Sequence, residues 1–166
     1  MTMRLIPALL TLLTLLTMEA GARQPTSAAD ERALSALVER WTAARTANDA
    51  EAMRPLFADK VDRVALPGAR VESTTREELL TYFAAGFKGT ARGTRAKSVA
   101  IRPVVLSDSA GLVDHTYEMY GADGAKIGVG YTTFVALKEA DTWRIVALRY
   151  ISAWPPAQAT SAASDR

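Results

Sequence analysis

Residues 97–152 read KSVAIRPVVL SDSA GLVDHTYEMY GADGA KIGVGYTTFVALK EAD TWRIVALRYIS, and the fold turns on this stretch. Its four segments, 97–106, 111–120, 126–138 and 142–152, are rich in valine, isoleucine, tyrosine and threonine, side chains that suit a pleated, half-buried surface. The connections 107–110, 122–124 and 139–141 are short enough for antiparallel hairpins. Pro103 has no amide hydrogen to give to a ladder, so it marks an edge or a bulge. The second half of the chain is therefore a meander of long strands.

Toward the N-terminus the pattern changes to helical spacing. Leu34, Leu37, Val38, Trp41 and Ala44 make an amphipathic stripe, which predicts a helix over 28–47. Asn48-Asp49 ends it and can cap a short helix over 50–57, in which Pro55 is a misfit that shortens or kinks it. Residues 61–66 alternate as a strand closed by a Pro67-Gly68 turn. Thr75-Arg76-Glu77-Glu78 is a capping box, opening a helix with Leu79, Leu80, Phe83 and Phe87 on one side and Gly86 and Gly89 at its end. Helices first and strands afterwards give an α+β domain whose helices cover one face of a bent antiparallel sheet. A sheet that curls around helices without closing leaves an internal pocket, where a small molecule is the natural ligand.

The ends of the chain carry separate signals. Arg4, the apolar run 5–16 and the small residues Ala20-Gly21-Ala22 read as a signal peptide over residues 1–22, with an uncleaved anchor as the alternative. Residues 23–29 read as a linker, 30–153 as one domain and 154–166 as a disordered tail. Export to the periplasm or the medium is the expectation, with no membrane contact once the leader is cleaved. In an exported chain, the lack of any cysteine excludes a disulfide scaffold and a thiol nucleophile. With one histidine in the whole chain, we expect no metal site and no cofactor. A net charge of +2 shows no basic face, so no nucleic-acid partner is expected either; Lys88, Arg92, Arg95 and Lys97 read as a solvated loop.

Several strings together resemble the nuclear transport factor two-like superfamily, in particular its SnoaL-like and uncharacterised bacterial branches. They are 37–41 in the first helix, Leu56-Phe57-Ala58-Asp59, 75–80, and Trp143-Arg144-Ile145-Val146 opening the last strand. The resemblance spans residues 30–152. It implies a cone-shaped, cystatin-like roll with an internal pocket, and a homodimer through the outer face of the sheet. Isomerase-like members place a catalytic aspartate just before the proline that ends the first strand. Here that stretch is Val64-Ala65-Leu66-Pro67, with no carboxylate, which argues against that chemistry. Relatives with histidines four and six residues after the last-strand tryptophan are matched here by Ala147 and Arg149.

The candidate pocket residues follow from strand parity. Val113, His115, Tyr117 and Met119 share the less polar face of 111–120, which directs His115 inward beside Tyr117. Two readings of His115 stand: an imidazole that binds ligand or moves a proton, or a half-buried side chain bonded to a neighbour. In the last strand Val146, Leu148 and Tyr150 share a face, and a bulge would exchange Tyr150 for Arg149 in the pocket; both stay open. Trp41, Phe57, Tyr131 and Phe134 are the expected walls. Asp62 reads as an exposed, ion-paired strand end. An anionic ligand would pair its carboxylate with Arg149 and accept a hydrogen bond from His115. The reading is an exported, dimeric small-molecule-binding domain without established catalysis. The alternatives are an isomerase, cyclase or dehydratase using His115 as general acid/base with Tyr117, or a dimeric assembly module.

Overall fold

A computed structural model describes residues 28–66 and 70–153. The expected leader, the tail, most of the linker and the Pro67-Gly68 turn lie outside the described residues. The elements are α1 (Ala28–Ala47), a single 3-10 helix (Glu51–Leu56), β1 (Phe57–Leu66), β2 (Arg70–Thr75), α2 (Arg76–Lys88), β3 (Arg95–Ser107), β4 (Ala110–Tyr120), β5 (Lys126–Glu139) and β6 (Thr142–Ala153). The six strands form one sheet in the order β2-β1-β6-β5-β4-β3. Every neighbouring pair is antiparallel except β1 and β6, which run parallel because the chain passes through β2, α2 and the whole meander between them. Among the described residues no helix is long and apolar enough to cross a membrane.

Local chemistry sets the element boundaries. The Thr75 hydroxyl accepts the Glu78 amide at 3.3 Å, and the Glu78 carboxylate accepts in return from the Thr74 amide at 2.9 Å. The capping box thus clamps the turn between β2 and α2. Gly86 does not end α2 as expected but lies inside it; the helix stops at Gly89, whose amide returns to the Ala85 carbonyl. The segment expected as a helix over 50–57 is a 3-10 turn, because Pro55 cannot donate into an α-helical ladder. Asp49 Oδ1 accepts the Ala52 amide at its start. Asn48, at φ 56°, closes α1, and its side chain bonds Arg45 O, Thr94 O and the Gly93 amide, tying the helix end to the start of β3. β1 begins at Phe57, four residues earlier than the sequence suggested, and β2 was not anticipated at all. The turn at Ala140-Asp141 has both residues at positive φ, the type I′ geometry that matches strand twist. Pro103 sits on β3, one of the two edge strands of the sheet.

The core lies between α1, α2 and the concave face of the sheet. α1 contributes Leu34, Leu37, Val38 and Trp41; α2 contributes Leu79, Leu80, Phe83 and Phe87; the strands contribute Val113, Phe134, Ile145 and Leu148. Each such side chain, fully buried, contributes roughly 1.5–3 kcal/mol. A polar clasp fixes the start of α1: Asp30 Oδ1 accepts from Trp143 Nε1 at 3.0 Å and pairs with Lys138 Nζ at 2.6 Å. These two partners hold the Asp30 carboxyl below its ordinary range.

Candidate functional site

The helices do not fill the cone. Between α1, α2 and the sheet lies a cavity of about 200 Å³. Its α1 wall is Trp41 and Arg45, one turn apart. Its α2 wall includes Tyr82, Phe83, Gly86 and Phe87, and its sheet wall includes Arg63, Tyr117, Thr132, Leu148 and Tyr150. Tyr82 and the neighbouring Thr90 are exposed and border its mouth. Gly86 is the gap in the α2 wall, since a Cβ added there would meet nothing within 4 Å.

Strand phase decides who reaches the cavity, and in β6 a bulge decides the phase. Val135 pairs with Ala147 and Ala136 with Ile145, so Val146 is the extra residue. Trp143 and Ile145 point into the core before the bulge, and Leu148 and Tyr150 after it. Arg149 is turned to the outer face. The expected face shared by Val146, Leu148 and Tyr150 is thus broken at Val146, and the bulge places Tyr150 inward instead of exchanging it for Arg149. On the outer face Arg149 makes two hydrogen bonds to Asp62, at 3.0 and 2.9 Å. Tyr131 also lies there, 47% exposed, in a shallow groove with Leu66 and Ile151.

The remaining expected residues divide by depth. Trp41 and Tyr117 line the cavity. Phe57 and Phe134 are fully buried core and do not reach it; Phe134 supports the Trp41 ring edge-to-face at 5.1 Å. His115 points inward as its strand face required, but it is only 2% exposed and is not part of the cavity wall. Tyr117 stacks on its ring at 5.0 Å, Trp41 meets it edge-on at 6.0 Å, and Nε2 lies 2.9 Å from Ser98 Oγ. Burial pushes the imidazole down to about 4, so it is neutral near pH 7.

Two arginines that sequence reasoning did not select give the cavity its character. Arg63 is buried, its guanidinium 4.1 Å from the Tyr82 ring centroid and 3.9 Å from that of Tyr150, and it fixes the two rings in place. Arg45 reaches Met119 Sδ at 3.4 Å and lies 6.0 Å from the Trp41 ring centroid. Burial pulls its guanidinium below the ordinary value, and the nearby Arg63 charge adds to this. Among the described residues no carboxylate lies in the cavity wall. The signal for Arg45 was available: it extends the stripe Val38-Trp41 by one further turn. The signal for Arg63 was weaker, because Val61, Arg63 and Val64 are all buried across an irregular register. Among the described residues no group of histidine, aspartate and glutamate could hold a metal ion.

Comparison with known proteins adds the following. The SnoaL-like domain family matches residues 34–150. No curated protein matches the sequence. Among solved structures, a protein of unknown function with a cystatin-like fold from Nostoc punctiforme superposes with a TM-score of 0.68 at 17% identity, covering 78% of this chain and 96% of that one. An NTF2-like protein with a cystatin-like fold from Novosphingobium aromaticivorans gives 0.64 at 14% identity, covering 78% and 86%. A ketosteroid isomerase-like protein from Erwinia carotovora gives 0.60 at 16% identity, covering 76% and 98%. At these identities the likeness is one of fold, and the fold is that of the nuclear transport factor two-like superfamily.

Proposed function

The chain belongs to the SnoaL-like domain family, and from the cavity inside its cone we propose that it is an exported pocket protein that binds a small organic molecule. The observation that carries this reading is Gly86. A glycine inside a helix costs roughly 1 kcal/mol relative to alanine, and here its missing side chain leaves open space toward the cavity. A protein selected for packing alone would fill that gap. Export rests on the leader pattern of residues 1–22, and a dimer is supported by Leu66, Tyr131 and Ile151 exposed together on the outer sheet face.

Acid–base catalysis through His115 is the less favoured reading, because the imidazole packs against Trp41 and Tyr117 and is not among the residues of this cavity's wall. The test is native mass spectrometry of the mature protein for a co-purifying molecule, repeated on Gly86→Leu. A bound small molecule in the wild type and its loss in the folded variant would support the reading. Identical occupancy in both proteins would place the ligand elsewhere and end it.

A further inference from the structure

We infer that the cavity takes a compact monocarboxylic acid, its carboxylate received by Arg45, Trp41 and Thr132. This rests on the pocket-binding reading and deepens it. Trp41 Nε1, Arg45 Nε and Thr132 Oγ1 are all buried, all belong to side chains of the cavity wall, and none has a hydrogen-bond partner within the protein. A buried donor without a partner costs about 1–3 kcal/mol, and three around one cavity are too many to leave unanswered in a stable fold. Two of the three, the indole and guanidinium N–H groups, can only donate. What meets them must be an acceptor.

Charge narrows the acceptor to an anion. Arg45 lines the cavity, burial pulls its guanidinium below the ordinary value, and among the described residues of the wall none is a carboxylate. Among the described residues no carboxylate lies within ion-pair distance of Arg45. An anion seated beside Arg45 would answer that buried charge, and a carboxylate offers two planar acceptors suited to a guanidinium edge and a neighbouring donor.

The rest of the wall and the volume fix the body of the ligand. Phe83, Phe87 and Leu148 are apolar, and the rings of Tyr82 and Tyr150 are held by Arg63. A bare inorganic anion would meet the donors but leave these apolar surfaces without a partner. An apolar cavity of about 150 Å³ accepts benzene, so about 200 Å³ accepts one ring with a carboxylate attached.

The experiment is calorimetric titration of the mature protein with benzoate, benzamide and inorganic phosphate. It is repeated on Arg45→Gln, Arg45→Lys, Thr132→Val and the outer-face control Arg149→Gln, each checked for folding by circular dichroism. We expect benzoate to bind while benzamide and phosphate do not. Arg45→Gln should weaken benzoate at least about tenfold, since charged hydrogen bonds are the strong ones. Arg45→Lys should recover part of the loss, Thr132→Val should lose a few-fold, and Arg149→Gln should match the wild type. Benzamide binding as tightly as benzoate would overturn the carboxylate assignment while leaving a pocket-binding protein. So would phosphate binding alone, or an Arg45→Gln variant with unchanged benzoate affinity. Failure of all three probes in a protein that still carries a co-purified molecule would overturn the acid and leave the pocket; failure of both would remove the pocket reading as well.

Discussion

Tyr117 lies against the bare α-carbon of Gly130, its direct partner across β4 and β5. A Cβ added at Gly130 would collide with the phenol ring, 2.5 Å from both Cε2 and Oη. The ring therefore lies down along the sheet, and the space above it remains part of the cavity. Gly130→Ala should force Tyr117 up into that space. Overpacking of this kind costs about 1–3 kcal/mol, read as a lower urea midpoint with an unchanged m-value. The cost should disappear in Gly130→Ala combined with Tyr117→Ala, giving a coupling energy of the same size in a double-mutant cycle. Additive effects of the two substitutions would show that the ring does not depend on the glycine.

Most of the fold was legible because its signals are local. The strand-rich stretch 97–152, the stripe of α1 and the capping box at Thr75 each specify their element from neighbouring residues. β2 was not legible: its sequence, Arg70–Thr75, has a single apolar residue, and only its pairing with β1 makes it a strand. The site was legible in proportion to strand regularity. In β4, which alternates without interruption through Val113, His115, Tyr117 and Met119, the inward face was read correctly. In β6 one inserted residue, Val146, inverts the phase, and no pattern within 142–152 announces a bulge whose cause is pairing on both sides. Arg45 and Arg63 escaped for a different reason. A charged side chain on an apolar stripe is ordinarily assigned to the solvent edge, and only a cavity gives it an inward place.

The Asp62–Arg149 pair is bidentate, yet both side chains are more than a third exposed. Its geometry is good and its solvent screening is substantial, so the pair should contribute no more than about 1 kcal/mol. Arg149→Ala should lower stability by that amount or less at low ionic strength. The difference from wild type should shrink further in 1 M salt, where the Debye length falls to about 3 Å. Chemical denaturation at both salt concentrations checks this. A loss of several kcal/mol insensitive to salt would mean that the pair is sealed from water, for example within a subunit interface.

His115 makes stability depend on pH in a stated direction. Its folded pKa of about 4 lies below the unfolded value near 6.5, because burial disfavours the imidazolium. Between these values the unfolded chain binds a proton that the native state refuses. Stability is therefore complete above about pH 6.5 and falls as the pH drops toward 4, by on the order of 3 kcal/mol across the window. Carboxylates held low by partners, such as Asp30 and Glu78, lose their contribution only at lower pH, below the ordinary carboxylate value, and are shared by any variant. His115→Leu should thus show a shallower decline between pH 6.5 and 4.5 than the wild type, measured by urea denaturation at half-unit steps. Parallel curves would mean that His115 charges freely in the folded protein.

Gly86 allows stability and binding to be separated. Its Cβ position is open, it lies within α2, and its φ does not fall in the left-handed region, so alanine fits without strain. Alanine there gains helix propensity and removes freedom from the unfolded chain, which together should stabilise the protein by about 0.5–1 kcal/mol. The measurement is the urea midpoint of Gly86→Ala against wild type, with m unchanged. A longer side chain at the same place keeps the helical gain and projects into the cavity. Gly86→Leu should then unfold no more easily than the wild type while losing its small-molecule ligand, a combination that misfolding cannot produce. If Gly86→Ala instead destabilises the protein, a group occupies the space that the glycine leaves, and the helix wall is closed rather than open at that point.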